Sequence, residues 1–182
     1  MLKWLFRQDP SKLAGQSLYA ACAKEARNPF FYSDLAVPDT VEGRFELYAL
    51  LVILLITRIK DEAPPAPDVS QALFDALLRG LDDGLRQMGV GDLSVGKKMR
   101  KLGEALFGRA KNLEHALQAL PDTSPLAAFL QRTVYAEADA PQLSQLVDRV
   151  LALHRDLAGQ SIERLLAGDV HFAPQSTEEA VA

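Results

Sequence analysis

The stretch Gly91-Asp92-Leu93-Ser94-Val95-Gly96-Lys97-Lys98 has the GxxxxGK spacing of a phosphate-cradling loop. In such a loop, backbone N–H groups surround the phosphates and the lysine reaches them. The last position of that motif needs Ser or Thr, whose hydroxyl holds magnesium, and here it is Lys98. A helix rather than a strand is expected ahead of it, so the strand–loop–helix frame is missing and nucleotide binding is set aside. The histidines are His115, His154 and His171, and none has a second histidine or cysteine at metal-ligand spacing. His154 falls on the apolar stripe of the last helix with Leu143, Val147, Val150 and Leu157, and reads as a partly buried histidine. Cys22, the single cysteine, stands among Ala20, Ala21 and Ala23 and reads as a small buried residue. No Ser-His-Asp or Cys-His set assembles, and nothing marks two carboxylates as close in space. The expectation is a protein that is not an enzyme and has no cofactor and no metal site.

Charge offers a second kind of chemistry. Asp75, Arg79, Asp82 and Arg86 recur at spacings of four, three and four. This is the pattern of a solvated helix face, with ion pairs of about 0.3–0.5 kcal/mol each; a polar contact with a partner is the alternative. Lys97, Lys98, Arg100, Lys101, Arg109 and Lys111 form a basic cluster in a chain of net charge −4. It reads equally as a solvated face or as attraction to anionic lipid headgroups or to an acidic loop of a partner, at about 1 kcal/mol per cation near a membrane. The N-terminal MLKWLFR suits either a first turn docked on the domain or a contact at a membrane interface.

These groups must be positioned by helices. Asp9-Pro10 starts one that runs to about Arg27, and Asn28-Pro29 interrupts it. Phe30, Phe31 and Tyr32 follow in a short turn or single helical turn. Asp39-Thr40-Val41-Glu42 reads as a capping box with Asp39 as cap, opening a helix to about Lys60. That helix is apolar on nearly every side from Phe45 onward and belongs at the centre of the fold. After the stiff Ala63-Pro64-Pro65-Ala66-Pro67 linker, Asp68 is expected to cap an amphipathic helix over 69–88. Its apolar arc holds Leu73, Phe74, Leu77, Leu78, Leu81, Leu85 and Met88. Gly89-Val90-Gly91 ends it. Further helices are expected over 95–120, from Ser124-Pro125 to about Tyr135, and from Pro141 to about Leu166. No strand pattern stands out. The fold class is all-α, a single irregular bundle of six or seven helices around the apolar helix at 41–60.

The chain's 182 residues, 48% hydrophobic and 24% charged, suit one domain with a real core. The division expected is an N-terminal segment 1–9, a helical domain 10–167 and a flexible tail 168–182. Net charge −4 argues against nucleic acid as a partner. A single cysteine makes no internal disulfide, which fits a reducing compartment. No secretory signal is apparent. LYALLVILLIT at 47–57 is uncharged but well short of the ~20 residues a spanning helix needs.

Three blocks carry a family resemblance. The first is Asn28-Pro29-Phe30-Phe31-Tyr32 followed by Val37-Pro38-Asp39-Thr40-Val41-Glu42-Gly43-Arg44-Phe45-Glu46. The second is Gln71-Ala72-Leu73-Phe74-Asp75 with Asp82. The third is Leu85-Arg86-Gln87-Met88-Gly89-Val90-Gly91-Asp92-Leu93, continuing to Val95, Lys97, Lys98, Met99 and Phe107-Gly108-Arg109. Together, over roughly residues 17–135, the chain resembles the ubiquinol–cytochrome c chaperones. The resemblance implies an all-helical assembly factor that binds newly made cytochrome b while ubiquinol–cytochrome c reductase, respiratory complex III, is built, together with a small partner protein. The shortness of the chain and the lack of an Arg- and Ser-rich transit segment imply a bacterial form, in the cytoplasm and peripheral at the inner face of the inner membrane. On this reading Arg44, Arg86, Asp92, Lys97 and Lys98 flank the client site, and Phe30, Phe31 and Tyr32 supply structure or apolar contact. Trp4, Phe6 and Lys101 are the expected membrane contacts. The alternative is a helical adaptor for a soluble protein partner.

Overall fold

The computed structural model describes residues 9–136 and 139–173. Among them are eight helices and no strand: α1 Pro10–Glu25, α2 Phe30–Ser33, α3 Val41–Ile59, α4 Ala66–Gln87, α5 Asp92–Gln118, α6 Ser124–Thr133, α7 Leu143–Gly159 and α8 Ile162–Leu166. The all-helical bundle expected from the sequence is the one observed.

α3 is the axis. An all-round apolar helix is stable in water only when it is covered on every side, and α1, α4, α5, α7 and α8 all pack on it. Leu47 and the unbroken run Ala49–Leu55 are buried, as is Ile59. Each buried Leu or Ile contributes roughly 1.5–3 kcal/mol. α1 makes its most extensive packing on α4, and Gly15 permits the close approach. A Cβ there would lie 2.6 Å from the Ala72 carbonyl carbon. α6 bridges α5 and α7, and beyond it the buried Tyr135 hydroxyl donates to the Leu35 carbonyl at 2.6 Å, tying the chain back to the turn after α2.

The helix ends differ in detail from expectation. Thr40, not Asp39, caps α3: its Oγ1 accepts from the Gly43 N–H at 3.0 Å. Asp39 instead pairs with Arg44 at 2.5 Å. α4 begins two residues ahead of Asp68, because Pro67 has the preset φ of a first-turn residue; Asp68 becomes an acidic residue in the first turn. α5 starts at Asp92 rather than Val95, since the Gly91 carbonyl already accepts from the N–H groups of Ser94 and Val95. The last long helix is broken. Gln160 is extended (ψ 144°), and Ser161 caps the short α8 by accepting from the Arg164 N–H. Past α8 the chain lies on the bundle as far as residue 173: Val170 and Phe172 pack against the core, and His171 exchanges hydrogen bonds with Gln160. The remaining residues of the expected tail lie outside the described ones.

Candidate functional site

α1 crosses α4 at Gly15 and again where Tyr19 meets Gly80. Beyond that crossing Ala23, Ala26 and Arg27 at the end of α1 line a common groove with Gly84, Leu85 and Met88 at the end of α4. Leu81 and Leu85 are only partly buried, and Met88 is 60% exposed. α3 enters on one side with Val41, Phe45 and Tyr48, and α5 on the other with Lys98 and Leu102; between them lies a groove of about 880 Å³. Val41 is 63% exposed at its rim. Gly84 forms open floor, with nothing near the place a Cβ would occupy.

The inner end of the groove is aromatic. Tyr19 and Tyr48 have ring centroids 5.1 Å apart with planes tilted by 52°. The Tyr32 hydroxyl donates to the Ala26 carbonyl at 2.5 Å, so its polar tip is satisfied while its side chain lines the groove. Burial pushes the phenols of Tyr19 and Tyr32 up, opposed by Arg27 and Arg44 respectively, and both remain neutral donors. Arg27, Arg44 and Lys98 line the groove as cations. The Arg44 guanidinium stacks over the Tyr32 ring at 5.0 Å. Its bond to Asp39 holds that carboxyl below its ordinary range and raises the guanidinium. An apolar trough with a methionine and three cations is suited to holding an apolar segment that has anionic or polar flanks. Methionine adapts to many shapes, and cations orient what lies beside them.

Of the residues expected at a client site, Tyr32, Arg44 and Lys98 come together in this groove. Phe31 is fully buried in the core, beneath the Arg149 guanidinium at 6.0 Å, and Phe30 packs on the core partly buried. Arg86 projects from the exposed side of α4 and pairs with Asp82 at 2.6 Å. Lys97 and Lys101 are exposed on α5, and Asp92 is its first residue. Trp4 and Phe6 lie outside the described residues. Sequence reasoning passed over Tyr19, Val41, Phe45, Tyr48, Gly80, Gly84 and Leu102. Leu81, Leu85 and Met88 were expected only as part of an apolar arc.

The other motifs find structural roles. Gly96-Lys97-Lys98 lies inside α5, so no loop is available to cradle a phosphate. Cys22 is fully buried, and burial pushes its thiol up. His154 is half-buried, and desolvation pulls its imidazole below the usual value. Among the described residues no group of three or more His, Cys, Asp and Glu is placed to hold a metal ion. A second, smaller cleft of about 460 Å³ lies between the N-terminal part of α3, α5 and the end of α6. It contains the bidentate ion pair of Glu46 with Arg109, and Glu42 and Arg132 also line it. No described helix is long and apolar enough to cross a membrane.

The fold is a helical bundle built around one apolar helix, with a groove open on one side. The chain belongs to the ubiquinol-cytochrome C chaperone family, whose model matches residues 33–172. That match starts just after the Asn28–Tyr32 block and extends through α7 and α8, beyond the stretch that carries the resemblance in sequence. The chain is 21% identical over 174 residues to the ubiquinol-cytochrome-c reductase complex assembly factor 1 of Xenopus laevis, covering 93% of this chain and 85% of that protein. Its fold is also similar to the crystal structure of the Cbp3 homolog from Brucella abortus, with a TM-score of 0.83 and 32% identity over 96% of this chain and 97% of that one.

Proposed function

We propose that this protein is an assembly chaperone for ubiquinol–cytochrome c reductase that binds newly made cytochrome b and catalyses nothing itself. It works in the cytoplasm and at the inner face of the bacterial inner membrane. Family membership and the name of the Xenopus laevis relative support the assembly role. The observation that carries the client reading is the groove, where Phe45, Tyr48, Leu81, Leu85 and Leu102 form an apolar trough beside Arg27, Arg44 and Lys98. An amphipathic helix about 10 Å across laid in such a groove buries one face and leaves its polar flank among the cations. A freshly made membrane protein presents such segments before its neighbours arrive.

The test is a mild-detergent pull-down of the tagged chain from native membranes, probed for cytochrome b, with Leu85→Glu beside the unaltered protein. Recovery of cytochrome b, strongest before the other subunits join and lost with Leu85→Glu, is the expected result. Recovery of soluble proteins alone, under conditions that preserve other assembly intermediates, would replace this reading with that of a soluble adaptor.

A further inference from the structure

The exposed face of α5 stands out among the described residues. At 100° per residue, Lys97, Arg100, Lys101, Glu104, Phe107 and Lys111 fall on the side of α5 opposite the buried Val95, Leu106 and Leu113, and all six are exposed. Four cations against one carboxylate stand here in a chain whose net charge is −4. Phe107 rises from among them 75% exposed, more than any other large exposed hydrophobic side chain of the described residues. Gly103 and Gly108 beside it add no side chain and have open space around them. Most of this apolar ring faces water, and the charges around it are of one dominant sign.

We propose that this face of α5 docks the protein on an anionic lipid bilayer, with Phe107 entering the headgroup region and Lys97, Arg100, Lys101 and Lys111 meeting lipid phosphates. Interfacial helices combine these features: a cationic polar face and an aromatic residue that reaches the acyl boundary. From Lys97 to Lys111 the face spans about 21 Å at 1.5 Å per residue, so the cations act together within a few Debye lengths of about 8 Å. The same helix lines the groove with Lys98 and Leu102. Lys98 and Leu102 lie on the other side of α5 from the docking face, so docking holds the groove one helix diameter, about 10 Å, from the membrane surface, within reach of an emerging apolar segment. The proposal rests on the preceding reading for what the groove receives, and on α5 alone for the lipid contact.

The experiment is co-sedimentation of the full chain with vesicles of phosphatidylcholine alone and of phosphatidylcholine with phosphatidylglycerol. Binding to the anionic vesicles only, weakening as salt rises, is expected. Each cation near the surface is worth about fivefold in affinity. The combined Lys97→Glu, Arg100→Glu, Lys101→Glu and Lys111→Glu variant should then lose at least about a hundredfold, and Phe107→Ser about tenfold. Undiminished binding by both variants would overturn the proposal. So would binding that disappears only on removal of residues 1–8, which would assign the contact to the N-terminal segment. In the detergent pull-down, where no bilayer is present, Phe107→Ser and the combined variant without the Lys97 change should still recover cytochrome b. Loss of that recovery would mean that the face meets an acidic protein segment instead. A failure at α5 leaves the groove reading standing, and a failure of Leu85→Glu to matter leaves the lipid contact standing.

Discussion

The hydroxyl of Tyr19 on α1 occupies the place where a side chain at Gly80 on α4 would stand. That seat holds the Tyr19 ring against Tyr48 as part of the groove's lining, so a missing side chain on one helix shapes the inner wall supplied by another. Glycine in mid-helix costs about 0.8–1 kcal/mol relative to alanine, and here that cost keeps the trough open.

Gly80→Ala should therefore separate stability from binding. The gain in helix propensity opposes the overlap with a side-chain tip that can swing aside, so urea unfolding should change by no more than about 1 kcal/mol. Tyr19 would turn into the groove, and cytochrome b recovery in the pull-down should fall severalfold. Adding Tyr19→Phe removes the overlapping hydroxyl and leaves only the ring Cζ close, at 2.8 Å from the new Cβ, so it should return part of the recovery.

Glu46 and Arg109 join α3 to α5 through a bidentate pair whose side chains are 12% and 24% exposed. The Arg109 guanidinium also lies 5.8 Å from the Phe45 ring. Arg109→Leu leaves a nearly buried carboxylate without its partner and should cost about 1–3 kcal/mol, allowing for residual solvent. Adding Glu46→Gln should recover part of that loss. Denaturant midpoints of the two single variants and the double variant measure both.

Cys22 is fully buried with its thiol pushed up, so it should resist aromatic disulfide reagents in the folded protein and react once denaturant unfolds it. Cys22→Ser places a hydroxyl in an apolar site and should cost about 1–3 kcal/mol; Cys22→Ala should cost less. Rapid labelling of the native chain would show that the α1 core opens.

His154 is held below its ordinary pKa by desolvation. The unfolded chain takes up this proton more readily than the folded one, so stability is lost as pH falls through the unfolded value near 6.5. The loss levels off below the depressed folded value. Urea midpoints from about pH 7.5 downward should show this decline, and His154→Gln should flatten it above the carboxylate range.

Much of the fold was legible in the residues. An apolar surface on every side of 41–60 requires cover on every side, and α3 has it. Proline and glycine at 29, 89 and 91 mark real interruptions, with Gly89 in the left-handed region at φ 80°. The capping residues were less legible, because Asp39 and Thr40 both suit the cap and Arg44 claims Asp39. Lys97 and Lys98 are adjacent in sequence yet serve different surfaces, since a step of 100° puts one toward solvent and the other at the groove.

By itself the sequence determined the helical class, the central helix, the family resemblance and the unusual concentration of positive charge on α5. Periodicity says which side of a helix is apolar, but not how far the covering helix reaches. Leu73 and Leu81 share one arc of α4, yet Leu73 is sealed and Leu81 is not. Only the tertiary structure decided that the end of α1, with α3 and α5, surrounds the last stretch of this arc without closing over it. Packing between helices distant in sequence is set by the whole bundle, and here it leaves a groove where the periodicity alone shows a strip of core.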